Sequence, residues 1–508
     1  MNGSVNRISA FLGNGFKPMG WFPGHMAIRH EKPSPWNLPV RPLLVVFRKR
    51  FIASGVHGVQ NPTHPLLMIL RLISLALLTS PLMAKPNVIV ILADDQGSVD
   101  AGCYGASDIQ TPAIDQLAAR GVRFDQFYAA SAVCSPSRVG LLTGRYPWKA
   151  GLAHNGPAAP SERLDDLRDS KDAGGMPGEQ VTMAEMFRKA GYATAHIGKW
   201  HLGHGDGSRP LDQGFDYSFG HMNGCIDSWS HFVYWGGPNR HDLWENNQRV
   251  RLPGRYFPDL MVEKSAAFIE QHRDEPFFMY FAVNLPHYPY QGDPKWLETY
   301  ASLPHPRRLY AAALSTIDER IGTLMGHLDR LGLRENTIVI YQSDHGHSTE
   351  ERAHGGGGKA GPYRGAKFSL FEGGIRVPAL ISWPSRLPAG EVRDALVHGC
   401  DWLPTLAQLC DVEAPTVALD GLDISKVIES RDTPSPHGVV EWRMGEQWAV
   451  RQGPWKLIRR PNPVGGPGLL AGDRDWFLSN PELNPEEDHN YLSEKPDIFQ
   501  SLREQHVD

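Results

Sequence analysis

The chain has 508 residues, 41% of them hydrophobic and 10% aromatic, and 51 Lys and Arg against 56 Asp and Glu leave a formal charge of −5. That is apolar material for one large domain or two to three smaller ones, with none of the basic excess that nucleic-acid binding needs. Five cysteines without a CxxC pair exclude a disulfide scaffold and a zinc site of that type.

Residues 1–67 are rich in Gly, Pro, Arg and Trp without sustained periodicity, and read as a non-globular extension. From Met68 runs "MILRLISLALLTSPLMAKPN", with one arginine, an apolar run from Leu72 to Leu78, and small Ala84 before a polar start. This layout predicts a signal peptide over 68–84, too short to span a bilayer. It implies a periplasmic or secreted protein with no stable membrane insertion, and a translation start at Met68. A buried strand or helix opening the fold is the alternative.

"PNVIVILADDQG" (86–97) is a β-branched apolar run that ends in carboxylates and Gly, the pattern of a strand buried on both faces. "TPAIDQLAARGVRF" (111–124) repeats apolar residues at helical spacing between a Thr-Pro start and a Gly stop. "VTMAEMFRKAGYATAHIGKWHLG" predicts a helix closed by Gly191, then a strand that carries Lys199 and His201 out at its end. "PFFMYFAVNLPHYPY" is a buried strand with His287 just past it, and the helix from Tyr310 leads through a Gly turn to a strand ending in Asp344 and His345. "RVPALISWP" (376–384) adds one more strand.

The alternation predicts an α/β three-layer sandwich over 86–430 with a large mixed, mostly parallel sheet, its polar strand ends converging on one edge. Beyond, "GVVEWRMGEQWAVRQGPWKLIRR" alternates between Gly turns, so 431–508 should form a small antiparallel subdomain. The polar stretch 151–178 is a long loop of the kind that is usually functional. His347, His354 and the "HGGGG" run receive no role beyond flexible loop at a site rim.

Adjacent Asp94 and Asp95 repel unless a cation lies between them, and with Asp344 at a second strand end the set predicts a metal. Cys134 with Arg138 could be an activated thiol. Only three residues separate the two, however, where a phosphatase-type loop has five. A buried free Cys is the bland alternative.

"CSPSRVGLLTGR" resembles the signature of the type I, formylglycine-dependent sulfatases, of the arylsulfatase and N-acetylgalactosamine-6-sulfatase kind in the alkaline phosphatase superfamily. "NVIVILADDQG", "GYATAHIGKWHLG", "LPHYPY", "YQSDHG" and "GAKFSLFEGGIRVP" resemble the other family segments in the family's order, and "LNPEEDHNYLSEKPDI" its tail. The resemblance implies that a separate maturation enzyme oxidises Cys134 to Cα-formylglycine, whose hydrate attacks sulfur. It implies a cation, Ca2+ by family, held by Asp94, Asp95, Asp344 and His345 with residue 134 completing the shell. Arg138 would hold the hydrate, Lys199 and Lys367 the sulfate, and His287 and His201 would exchange protons, His287 with the leaving alcohol.

His345 departs from the Asn that many sulfatases carry, and imidazole favours softer ions than calcium. The implied reaction is hydrolysis of a sulfate ester, on a sulfated carbohydrate or aryl sulfate. The aromatic segment 223–246 and the loop 151–178 are candidates for the substrate groove. Two alternatives stay open: a phosphonate or phosphodiester hydrolase of the same superfamily, or a non-catalytic glycan-binding protein if Cys134 is never modified. Pairing among Cys103, Cys225, Cys400 and Cys410 is not readable from sequence.

Overall fold

The structure, a computed structural model, describes residues 85–155, 174–233 and 240–506. The extension 1–67 and the signal peptide expected at 68–84 lie outside the described residues. No helix of the described residues is long and apolar enough to cross a membrane.

Ten strands form the main sheet. In chain order they are β1 (Asn87–Ala93), β2 (Val122–Phe124), β3 (Ala193–Lys199), β4 (Tyr217–His221), β5 (Trp244–Glu245), β6 (Gln248–Arg249), β7 (Phe277–Ala282), β8 (Thr337–Ser343), β9 (Ala379–Ser382) and β10 (Glu391–Arg393). Their order across the sheet is β10-β2-β9-β8-β1-β7-β3-β4-β5-β6. The run β8-β1-β7-β3-β4 is parallel throughout, while β9 and β5 join it antiparallel.

β1 shows why the sheet is a middle layer. All seven of its residues are buried, and side chains alternate between faces. Val88, Val90 and Leu92 enter one core with Val139, Leu142, Phe187 and Trp402. These come from α1 (Cys134–Thr143), α2 (Met183–Lys189) and α5 (Trp402–Leu409). Ile89, Ile91 and Ala93 enter the other core with Leu260, Ile317 and Leu324, from α3 (Phe257–Gln271) and α4 (Arg307–Arg330). Truncating a side chain such as Ile89 to Ala would cost about 2–5 kcal/mol at a site this enclosed. Helices on both faces of a mainly parallel sheet give the expected three-layer sandwich.

The C-terminal region forms the expected antiparallel sheet, from β11 (Val440–Met444), β12 (Gln447–Gln452), β13 (Trp455–Arg459) and β14 (Trp476–Ser479). Trp442, Ala449, Ile458 and Phe477 on its inner face pack on Tyr128, Phe371 and Ile375 of the sandwich. Its outer face is covered in part by Leu502 of the last helix, α6 (Pro496–His506).

The "HGGGG" run is not a loose rim. A Cβ at Gly357 would lie 2.4 Å from Cβ of Tyr310, and one at Gly358 would lie 2.3 Å from Cβ of His347. Gly357 and Gly358 are there because the backbone packs directly on a helix and on a buried imidazole.

Candidate active site

Parallel strands direct their C-terminal ends to one edge of the sheet, and this chain places its ionisable groups there. β1 runs into Asp94 and Asp95, β3 ends in Lys199, β7 leads to His287, and β8 runs into Asp344 and His345. Gly198 makes one close passage possible: at φ +118°, a Cβ there would lie 1.9 Å from the carbonyl oxygen of Ala282 on β7. Cys134 comes from another direction, as the first residue of α1. Asp95, His201 and Phe368 hold left-handed backbone angles of +63°, +55° and +73°, a conformation that surrounding structure must impose on such residues.

Two overlapping groups of potential metal ligands result, each with ligand atoms within 4.8 Å of one another: Asp94, Asp95, Cys134 and His287, and Asp94, Cys134, Asp344 and His345. His345 Nε2 lies 3.2 Å from Cys134 Sγ and 3.5 Å from both Asp95 Oδ1 and Asp344 Oδ1. Its Nδ1 is 2.9 Å from the Gly346 carbonyl, so the ring donates there and turns Nε2 to the cluster.

Three permanent cations interleave with the three carboxylates. Lys199 Nζ donates to both oxygens of Asp94 at 2.7 Å. Arg138 Nη2 bridges Asp94 at 3.2 Å and Asp344 at 2.9 Å. Lys367 Nζ reaches Asp95 at 3.0 Å, His287 Nε2 at 3.3 Å and Glu350 at 3.4 Å. Arg138 therefore grips the carboxylates, with no hydrogen bond to Cys134.

These fields act on each group. Burial pushes the Cys134 thiol up, but Lys199, Lys367 and His345 outweigh it and hold the thiol at about 5. Burial would likewise raise Asp94, yet Lys199, His287 and Arg138 hold it below the usual carboxylate value. Asp95 is the exception: burial pushes it up to about 7 despite Lys367 and His345. Its Oδ1 has Lys367 Nζ at 3.0 Å but no hydrogen bond of regular geometry. An under-compensated buried carboxylate oxygen beside two others and an imidazole is what a divalent cation would satisfy, so this donor set fits one.

Beside the cluster opens a cavity of about 170 Å³ whose wall includes Cys134, His201, His287 and Lys367. Burial and Lys367 hold His287 well below the normal imidazole value; burial and Lys199 do the same to His201. His201 thus lines the cavity, while its Nδ1 lacks a hydrogen-bond partner. Every candidate residue from the sequence lies in this cluster or on the wall beside it.

Sequence reasoning missed His204, Glu350 and Arg352, which also line the wall. Asn155 accepts the Ser135 N–H at 3.0 Å. Glu350 accepts from the Tyr288 hydroxyl at 3.0 Å and from Arg352 at 2.9 Å. The expected groove segments reach the cavity through Asn155, Gly174, Asn223 and Cys225 rather than through aromatics. Trp229 stacks on Tyr256, and Trp244 packs under Arg249.

Residues 86–412 match the family described as Sulfatase. Arylsulfatase A of Homo sapiens is 37% identical over 383 residues, 70% of this chain and 71% of that protein. An N-acetylgalactosamine-6-O-sulfatase of Bacteroides thetaiotaomicron is 30% identical, over 83% of this chain and 92% of that protein. The crystal structure of Ps i-CgsB in complex with k-i-k-neocarrahexaose superposes with a TM-score of 0.71 at 28% identity, covering 83% of this chain and 92% of that one.

Proposed function

We propose that this chain, which belongs to the sulfatase family, hydrolyses the sulfate ester of a sulfated sugar using a formylglycine nucleophile made from Cys134 and a divalent cation. The observation that carries the reading is the position of residue 134. It is 99% buried, at a helix N-terminus, and among cations that hold an anion there.

Hydrolysis must neutralise charge on the sulfuryl oxygens and protonate the departing alcohol. Asp94, Asp95, Asp344 and His345 would hold the cation, calcium by family and a softer ion by the chemistry of His345, and it would neutralise oxygen charge and favour ionisation at residue 134. A formylglycine hydrate supplies one hydroxyl to attack sulfur and a second whose deprotonation expels sulfate and restores the aldehyde, an exit route that a serine lacks.

The remaining work falls to this chain's own side chains. Lys199 and Lys367 grip sulfate oxygens, each already aligned by a carboxylate. Arg138 fixes Asp94 and Asp344 relative to each other. His287, with Nε2 beside Lys367, protonates the leaving alcohol; His201 takes the proton released during sulfate expulsion. Burial holds both imidazoles below their ordinary value, so the negative charge of the bound sulfate monoester must favour the protonated form of the proton donor.

A carbohydrate substrate is supported by the sugar sulfatase named among the relatives. A cavity of about 170 Å³ is smaller than the ~300–1,000 Å³ of sites for drug-sized ligands, which suits one terminal sugar. Export through the 68–84 segment belongs to the same proposal, because sulfated polysaccharides lie outside cells.

The test is peptide mass spectrometry at residue 134 on protein co-produced with a maturation enzyme, alongside rates on 4-nitrophenyl sulfate and an aryl phosphonate. Conversion to the aldehyde with faster sulfate turnover is expected. An unmodified thiol in an active enzyme would remove the nucleophile, and faster phosphonate turnover would reassign the substrate.

A further inference from the structure

The outer face of the C-terminal sheet carries a second polar cavity that sulfate chemistry does not use. It holds about 390 Å³, and its wall includes Arg443, Glu446, Gln447, Trp448, Arg459 and Arg460. Strand register explains the grouping. Arg443 pairs with Trp448 across β11 and β12, and Trp448 with Arg459 across β12 and β13. Directly opposed residues share a face, so the three stand in one row, which Trp476 on β14 extends opposite Arg459.

Two of the three arginines rest on aromatic rings. The guanidinium of Arg443 is 5.3 Å from the Trp148 ring centroid, and that of Arg459 is 5.9 Å from the Trp476 centroid. Arg460 pairs with Glu446, and Arg443 lies 3.6 Å from Glu441. Arg459 has no carboxylate partner among the described residues. Positive charge is left over.

The cavity also holds an unused donor. Trp448 is only 7% exposed, and its indole Nε1–H has no acceptor. Buried polar groups normally find partners. A buried N–H in a row of arginines calls for a ligand rich in anionic oxygens.

We propose that this cavity binds a charged sugar, sulfated or carboxylated, of an acidic glycan chain whose end is cut in the catalytic cavity. The part about the chain's end rests on the proposed function. Planar guanidinium forks match sulfate and carboxylate oxygens, and the indole N–H adds a further donor. A hydrogen bond joins the walls of the two cavities: Gln447 Nε2 donates to the Phe368 carbonyl at 2.9 Å, and Phe368 lines the catalytic cavity next to Lys367. Holding the polymer there raises the local concentration of its ends.

The test is electrophoresis of the full-length, matured protein through gels containing dextran sulfate, hyaluronan or neutral dextran. At least one polyanion should retard it, and neutral dextran should not. R443Q/R459Q should weaken the retardation at least fivefold, and W448F at least twofold, with 4-nitrophenyl sulfate turnover within twofold of the parent. R273Q/R431Q removes the same charge elsewhere on the surface and should leave the retardation unchanged. Retardation by dextran sulfate alone assigns sulfate as the ligand group; by hyaluronan alone, carboxylate. The proposal is overturned if neither polymer retards the protein, or if the two double variants lose retardation equally. Retardation by polyanions without hydrolysis of any sulfate ester would sink the catalytic reading and leave the cavity standing.

Discussion

Lys456 lies on β13 with its ammonium fully buried, 2.7 Å from Glu372 and 2.8 Å from Glu487, both fully buried themselves. Glu487 also accepts the backbone N–H of Glu372 at 2.6 Å and the Ser479 hydroxyl at 2.7 Å. Glu372 opens the short turn that follows Lys367, so this cluster fastens the C-terminal sheet to the catalytic loop. Lys456→Met keeps the length of the side chain and deletes the charge, leaving Glu487 without an ion-pair partner. Breaking one side of a buried pair costs about 3–5 kcal/mol. Burial already pushes Glu487 above its ordinary value of 4.5, against the pull of Lys456. Without that pull its folded pKa rises further. A raised carboxylate contributes stability only below its unfolded pKa and loses it as pH climbs toward the folded one. The deficit of K456M should therefore be smallest near pH 5 and grow toward pH 8. Replacing both partners, as in K456M/E487L, should recover about half of the loss, because an apolar pair can substitute for a buried ion pair. Urea unfolding followed by tryptophan fluorescence at pH 5, 7 and 8 measures all of this. A single variant within about 1 kcal/mol of the parent at pH 7, or a double variant no more stable than the single, would refute the clamp.

Three further outcomes are expected. Cys134→Ala should lower 4-nitrophenyl sulfate turnover on the order of 10³-fold or more, as loss of a covalent nucleophile does, while its melting temperature stays within a few degrees; comparable turnover would exclude residue 134 as the attacker. After chelation and reloading, His345→Asn should shift relative activity toward Ca2+ over Mn2+ at least about tenfold, since an amide oxygen replaces imidazole; an unchanged ratio would place His345 outside the metal shell. Gly198→Ala forces a Cβ to 1.9 Å from the Ala282 carbonyl at φ +118°, so urea unfolding should show a loss of at least about 3 kcal/mol; a parent-like curve would mean that the strands shift freely.

What could be read from the sequence followed from regular structure. Apolar runs ending in Asp94, Lys199, His287 and Asp344 announce strands, and a parallel sheet gathers strand ends without any further information. Glu350 and Arg352 sit in loops, where no periodicity marks a position and only the folded path brings them to the cavity. The same holds for Arg138: its spacing from Cys134 suggests a partner for residue 134, yet its contacts are with Asp94 and Asp344, 44 and 206 positions away. The tail and the "EGGIRVP" run were visible as motifs with no chemistry to explain them. Their meeting at Glu372 and Glu487, 115 positions apart, gives them one: they close the sheet behind Lys367. The cluster takes its groups from chain segments that only the complete fold brings together. Loosening the clamp should therefore lower activity by displacing Lys367 relative to Asp95, with Cys134 and the other carboxylates chemically unaltered. Added sulfate should stabilise every variant that still binds it, and a smaller gain in K456M than in the parent would show that the clamp holds Lys367 in place to receive it.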